Sequence, residues 1–147
     1  MEITEITTKD IEEFAELYAL TFNHPPWSED WSLESAIARL TCYRNTPNFI
    51  GVSAYSPDRL AGFIFGNYEP YQDNALYLLK EMCVHPEHQR SGVGTELLQS
   101  LHSILARKDI STVNLLTRSG GSAESFYLKN GYYKSSTMGL YVARFCT

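Results

Sequence analysis

Cysteine is scarce: the 147 residues contain three, Cys42, Cys83 and Cys146. An odd, unpatterned set fits reduced thiols used for packing better than a disulfide framework or a zinc site. Long apolar runs are missing too. Nothing approaches the ~20 apolar residues of a membrane-spanning helix, and the polar, acidic start MEITEITTKD is unlike a signal peptide. A cytoplasmic protein with no membrane partner is expected. Positive charge is in deficit, with 12 Lys and Arg against 17 Asp and Glu for a formal net charge of −5. That balance argues against nucleic acid, which is held chiefly by phosphate neutralisation, and leans towards cationic small molecules. Repeats and biased segments are also lacking, which argues against solenoid arrays and disorder.

What is present is a chain 44% hydrophobic and 13% aromatic, about as long as one domain, since domains commonly run to ~100–150 residues. Residues 1–147 are read as a single domain. Ile3, Glu5 and Thr7 alternate with Glu2, Thr4 and Ile6 in a short first strand, and Asp10 with Glu13 resembles a capping-box helix start. Ile11, Phe14, Ala15, Leu17 and Tyr18 recur at helical spacing, as do Leu33, Ala36, Ile37 and Leu40 after Ser32. Residues 49–55 and 60–67 read as a hairpin around Ser56-Pro57-Asp58-Arg59, followed by a polar loop, YEPYQDN.

Residues 76–84 form a near-continuous apolar run broken by Lys80 and Glu81, the pattern of a central strand. Val93, Leu97, Leu98, Leu101, Ile104 and Leu105 make one helical stripe, a β-branched strand follows over 111–117, and a short helix over 122–130 ends at Gly131 in the C′ position. The tail from Tyr132 to Phe145 alternates as one or two closing strands would. Together these predict a mixed α/β sheet with helices on its faces and a strand–helix–strand crossover.

The sharpest local feature is Gln89-Arg90-Ser91-Gly92-Val93-Gly94, lying between the central strand and the striped helix. Loops at the carboxyl ends of strands are where open α/β sheets bind ligands. Glycines there permit conformations and close approaches that a Cβ forbids, while the first N–H groups of the helix lack partners. A phosphate would gain the helix dipole and hydrogen bonds from the backbone and Arg90. Glycine spacing alone is equally consistent with a tight turn. The dinucleotide fingerprint fails because Leu97 stands where its third glycine should, and the P-loop Gly-Lys-Ser/Thr is absent.

The stretch EMCVHPEHQRSGVGTELL resembles the signature of the GNAT superfamily of acetyl-CoA-dependent N-acetyltransferases, a strand ending in Val-x-Pro and then Gln/Arg-x-x-Gly-x-Gly/Ala opening a helix. A second family element, Phe-Tyr-x-x-x-Gly-Phe/Tyr, is matched by Phe126-Tyr127-Leu128-Lys129-Asn130-Gly131-Tyr132. The likeness to small bacterial, aminoglycoside-acetyltransferase-like members extends to FNHPPWSEDW. One departure is visible: many members carry Asn shortly before the second helix, where this chain has Ser119-Gly120-Gly121-Ser122. The resemblance implies an α/β (α+β) fold with a mixed, mostly antiparallel central sheet flanked by helices and a βαβ acetyl-CoA-binding core. It further implies that Gln89, Arg90, Ser91, Gly92, Val93, Gly94 and Thr95 hold the coenzyme pyrophosphate. Main-chain groups of Met82, Cys83 and Val84 would pair with the pantetheine arm, and acetyl transfer would be direct, in a ternary complex.

Transfer to an amine needs a neutral nitrogen, a polarised carbonyl and a leaving thiolate that can be protonated. By helical position alone Tyr127 would be a packed ring; the resemblance implies that it is the general acid. Glu81, a carboxylate within an apolar strand, must be paired or line a wet cleft, so a catalytic base and an ion-pair partner are both open. His85 and His88 lack a third convergent ligand, and no metal is expected. Cys83 reads as core packing. Trp27, Glu29, Asp30 and Trp31 lie in the loop between the first two helices, near which the family places its acceptor, and Tyr68, Glu69, Tyr71 and Asp73 form a second candidate rim. Aromatics with carboxylates suit a cationic amine, although the tryptophans also read as core cover. The expected activity is N-acetylation of a small cationic amine. A peptide or protein N-acetyltransferase and a non-catalytic acyl-CoA-binding domain are the alternatives, and a homodimer stays open.

Overall fold

Strands β1 (Glu2–Glu5), β2 (Phe49–Tyr55), β3 (Leu60–Tyr71) and β4 (Asn74–Val84) pair in sequence order, each antiparallel to the last, and β5 (Val113–Leu115) joins β4 in parallel. The parallel step is bridged by helix α3 (Val93–Arg107), as the crossover reading requires. The computed structural model describes residues 1–146 and divides into two compact units. Met1–Leu116 holds the sheet with α1 (Glu12–Asn23), α2 (Leu33–Arg44) and α3, while the unit from Thr117 onward carries α4 (Ser122–Lys129). Among the described residues, no helix is long and apolar enough to cross a membrane.

Side-chain periodicity explains how the sheet is covered. On α1, Phe14, Ala15, Leu17 and Tyr18 are buried together with Ala36 and Leu40 of α2 against Phe63, Phe65 and Cys83. The Phe14 ring lies 5.4 Å from each of the two strand phenylalanines. The predicted stripe on α3 is buried in full, each large apolar side chain contributing roughly 1.5–3 kcal/mol. Gly62 alternates with Phe63 and so faces the other way; a Cβ there would lie 3.2 Å from Leu97 of α3.

One irregularity in β4 sets the position of the site. Phe65 pairs with Glu81 while Gly66 pairs with Leu79, so Lys80 is a bulge residue with no opposite number. A bulge inserts one residue and breaks the two-residue alternation. Tyr77 and Leu79 therefore face the Gly66 side of the sheet, where the Tyr77 ring takes the place a Gly66 Cβ would occupy. Glu81 and Cys83 share the face of Phe65 and Phe63, under α1 and α2.

Four expectations are corrected. The capping box on α1 does not form: the helix starts at Glu12, Asp10 accepts the Glu12 N–H at 3.2 Å from outside it, and Glu13 accepts the Tyr55 hydroxyl at 2.6 Å. The capping box belongs to α2, between Ser32 and Ser35. The stretch YEPYQDN is the end of a hairpin, with β3 continuing to Tyr71 and β4 starting at Asn74, because ladder pairing continues through exposed polar residues. The fifth strand is confined to Val113–Leu115. No strand forms among the described residues from Tyr132 onward. Alternation fixes which faces a strand would show, not the edge it would pair with.

Candidate active site

The β4–α3 connection is held from several directions. His85 N–H donates to Ala61 O at 2.8 Å, Gln89 Nε2 donates to Val84 O at 2.9 Å, and a 3-10 turn covers Pro86–His88. His85 Nδ1 accepts the Glu87 N–H at 3.1 Å, and Arg59 Nη1 bonds Glu87 Oε2 at 2.7 Å. The His85 imidazole is lowered by desolvation and then by the charge of Arg59, which favours the neutral ring that this acceptor role needs. Ser91 Oγ donates to His88 O.

Beyond this turn the backbone becomes left-handed twice, at Arg90 (φ 61°) and Gly92 (φ 92°). Gly92 is the N-cap of α3 and supplies no side-chain cap. Among the described residues, no acceptor within the chain meets the backbone N–H groups of Gln89 through Thr95. Successive amides of this kind at a helix N-terminus form an anion-binding concavity. Arg90, Ser91 and Gly92 are exposed at its rim, and Val93 anchors it in the core. Alongside, β5 flanks β4 only from Tyr77 to Leu79, so Met82–Val84 lie past the end of that strand.

Glu81 sits in a cluster whose members sequence reasoning found only in part. Its side chain is 11% exposed, and its Oε1 accepts both Arg39 Nε at 2.8 Å and the Tyr18 hydroxyl at 3.2 Å. The Arg39 guanidinium lies 5.6 Å from the Trp31 ring and 5.2 Å from Tyr43. Trp31 packs edge-on against Tyr18 at 5.1 Å and donates its Nε1 hydrogen to Glu29 at 2.9 Å. The Asn23 side chain clasps the Trp31 backbone from both sides. Trp31 and Glu29, suspected from the inter-helix loop, thus join Glu81 through Tyr18, Arg39, Tyr43 and Asn23, which had not been singled out. The only sequence signal for Arg39 was the need of a strand carboxylate for a partner.

The two partners respond differently. Desolvation pulls Arg39 down, but its bond to Glu81 outweighs this and leaves it raised. For Glu81 burial dominates, and the bonds from Arg39 and Tyr18 only partly offset it, leaving the carboxyl above its ordinary range. Glu81 is the more deeply buried of the two, so its charge is a net cost.

The remaining predicted residues are dispersed. Trp27 packs against Phe22 at 5.3 Å. Tyr68 pairs with Tyr77, and Tyr71, 61% exposed, pairs with Asn74 at the hairpin end; neither bonds to the Glu81 cluster. Cys83 is buried, donates weakly to Leu17 O at 3.7 Å, and burial pushes its thiol up to about 12, as suits packing. In the C-terminal unit Tyr127 is buried between Phe126 and Tyr132, with ring centroids 5.3 and 5.4 Å away. Gly131 (φ 90°) closes α4: Tyr132 N–H donates to Tyr127 O at 3.1 Å and Gly131 N–H to Leu128 O at 3.4 Å, the Schellman pattern.

A mixed sheet with an amide-lined strand-to-helix turn and a carboxylate held beside a bulge defines an α/β protein whose candidate site lies where β4 gives way to α3. The sequence matches the family profile described as an acetyltransferase (GNAT) domain over residues 47–134. The chain belongs to the GNAT acetyltransferase family. Its fold is similar to the crystal structure of a probable acetyltransferase, with 18% identity, coverage of 100% of this chain and 99% of that one, and a TM-score of 0.80. An aminoglycoside acetyltransferase from an uncultured soil metagenomic sample, in complex with sisomicin, is 16% identical over 99% of this chain and 96% of its own, with a TM-score of 0.75. A ribosomal-protein-alanine N-acetyltransferase from Brucella melitensis biovar Abortus 2308 is 18% identical over 98% of each chain, with a TM-score of 0.71. No curated protein matches the sequence significantly.

Proposed function

We propose that residues 1–147 act as one acetyl-CoA-dependent N-acetyltransferase domain, which passes an acetyl group directly, in a ternary complex, to the primary amine of a small cationic molecule. The observation that carries this reading is the run of backbone N–H groups from Gln89 to Thr95 with no well-aligned acceptor among the described residues. A diphosphate would satisfy several of them and gain the α3 dipole, with Arg90 adding charge-assisted bonds. Met82, Cys83 and Val84 then offer the stretch of β4 along which a pantetheine arm extends towards Glu81. Calorimetry with coenzyme A tests the assignment. Gly92 has open space around its missing Cβ, so Gly92→Ala adds backbone strain of about 1–2 kcal/mol without a clash. It should weaken coenzyme A binding by about tenfold, and wild-type affinity would remove the turn from the site.

Glu81 is assigned the proton of the incoming amine, taken directly or through one water. A carboxyl raised towards the working pH is a better base than an ordinary one. The ring of Trp31 already faces the chain's own cation, Arg39, so Glu29 and Glu81 are the stronger anchors for an ammonium, with Trp27, Tyr68 and Tyr71 as outer contacts. Similarity to an aminoglycoside acetyltransferase supports an amine substrate. A panel of aminoglycosides, polyamines and peptides, read by release of free thiol, decides the class: preference for peptides favours a protein acetyltransferase, and tight coenzyme binding without thiol release on any amine favours a binding domain.

Glu81→Gln separates a base from a structural ion pair. The folded state raises this pKa, so the folded chain binds the proton more tightly than the unfolded one. The stability this group contributes is present below the unfolded carboxyl pKa and is lost as pH rises through the folded value. At neutral pH the neutral isostere should therefore leave Tm unchanged or raise it. Turnover should fall by about tenfold or more, and the acidic limb of its pH profile should flatten. A lower Tm with normal turnover would make Glu81 structural.

A further inference from the structure

The two donors that reach Glu81 converge on one of its oxygens. Arg39 Nε at 2.8 Å and the Tyr18 hydroxyl at 3.2 Å both bond Oε1. No well-aligned donor among the described residues bonds Oε2. Among the described residues that are not exposed, Thr21 Oγ1 is the side-chain polar atom that is both sealed from water and unpaired, so Oε2 still reaches solvent. Glu81 therefore has a held oxygen and an open one.

The holding side is itself held. A guanidinium is a flat fork whose donors point in fixed directions, and that of Arg39 lies against the rings of Trp31 and Tyr43. Asn23 fixes Trp31 in turn, accepting its backbone N–H at 2.7 Å and donating to its carbonyl at 2.9 Å. The Tyr18 ring packs against Trp31 and lies 4.7 Å from Phe22. All of these residues belong to the unit Met1–Leu116. The other groups around the carboxyl are few: Glu29 opposes its charge from the inter-helix loop, Tyr43 and Cys83 are neutral, and β3 presents Phe65 opposite it. Both bonds favour the charged form, yet burial still leaves the carboxyl above its ordinary range. An ion pair kept at such a cost is characteristic of a working site.

We propose that Arg39 and Tyr18 are positioning residues for the acyl transfer, fixing Oε1 so that Oε2 takes the proton of the amine. In that step an ammonium N–H bond breaks, its electron pair stays on nitrogen, and the proton bonds to Oε2. A neutral amine is left beside a neutral carboxyl, and Arg39 keeps its charge throughout. The inference rests on Glu81 being the base.

The experiment uses the full chain with glutamate isotopically enriched at the carboxyl carbon and followed by carbon NMR, the Glu81 signal being the one that Glu81→Gln removes. In Arg39→Met the carboxyl should titrate at higher pH, and Tyr18→Phe should move it the same way by less. Turnover is read with acetyl-CoA and whichever aminoglycoside, polyamine or peptide gives the fastest thiol release. It should fall about tenfold or more in Arg39→Met, and the acidic limb of kcat/KM should move to higher pH together with the carboxyl titration. The ionisation of the amine is common to all variants, so the differences belong to the protein. Arg39→Lys keeps the charge and should restore the limb but only part of the rate, since an ammonium lacks the flat fork. Added to Glu81→Gln, Arg39→Met should cost no further turnover. That double variant leaves no buried charge unpaired, so it serves even where Arg39→Met alone does not fold. An unmoved limb in Arg39→Met, or a further tenfold loss on top of Glu81→Gln, would overturn the positioning role and leave the base standing. Normal turnover in Glu81→Gln would instead remove the base, and this inference with it.

Discussion

Replacing Tyr127 with phenylalanine is expected to lower turnover about 10²–10⁴-fold at saturating acetyl-CoA and amine, the usual contribution of a positioned acid. The substitution removes one oxygen and keeps the ring. That ring is buried against Phe126 and Tyr132, so phenylalanine preserves the packing, and losing a hydroxyl hydrogen bond costs only ~0.5–1.5 kcal/mol of stability. A phenol near pKa ~10 can protonate a departing thiolate near ~8.5 as it leaves. Acyl donors with more acidic thiols need that proton less, so the gap between wild type and variant should narrow along such a series. Tyr132 is the control, since burial pushes its phenol up to about 12, and Tyr132→Phe should turn over at nearly the wild-type rate. If Tyr127→Phe kept full turnover with chemistry rate-limiting, the proton would have to come from elsewhere.

The largest effect on stability should follow Gly66→Ala. A methyl group there would lie 2.3 Å from Leu78 O and 2.4 Å from the Tyr77 hydroxyl oxygen. Tyr77 is fully buried and donates to Ile50 O at 2.8 Å across the intervening strand. Overpacking alone costs ~1–3 kcal/mol, and a displaced Tyr77 would leave a buried carbonyl unsatisfied for ~1–3 kcal/mol more. A loss of about 3 kcal/mol or more is expected, seen as a fall in Tm of about 10 °C. Adding Tyr77→Leu to Gly66→Ala should recover part of the loss, because the ring in the way is gone. Strictly additive losses would show that the ring is not the obstacle.

Most of the fold was legible because its signals are local and periodic. The α3 stripe, the β2–β3 hairpin, the start of α3 near Gly92 and the Gly131 cap each depend on residues within a turn or two of one another. The glycine turn that opens α3, left-handed at Gly92, was legible for the same reason. What was missed depends on pairing across distance. Nothing local announces that YEPYQDN continues a ladder, since its polar side chains are exposed while its backbone is bonded. Alternation in the tail gave a pattern without a partner edge. At the site, Glu81 was found as an anomaly in an apolar run, but Tyr18 and Arg39 lie 63 and 42 positions away. On their own helices they look like an ordinary core ring and an ordinary surface cation.

Lys80 makes β4 two half-ribbons spliced out of phase. Ahead of the splice, odd-numbered side chains serve the core beneath α3; after it, odd-numbered side chains serve the layer under α1 and α2. Were Lys80 instead to take a regular place opposite Phe65, the second half-ribbon would turn over with every chemical group kept, burying Glu81 among aliphatic side chains and sending Met82 towards Tyr18 and Arg39. The address of the carboxylate is thus written in a count of residues, and swapping letters alone does not rewrite it.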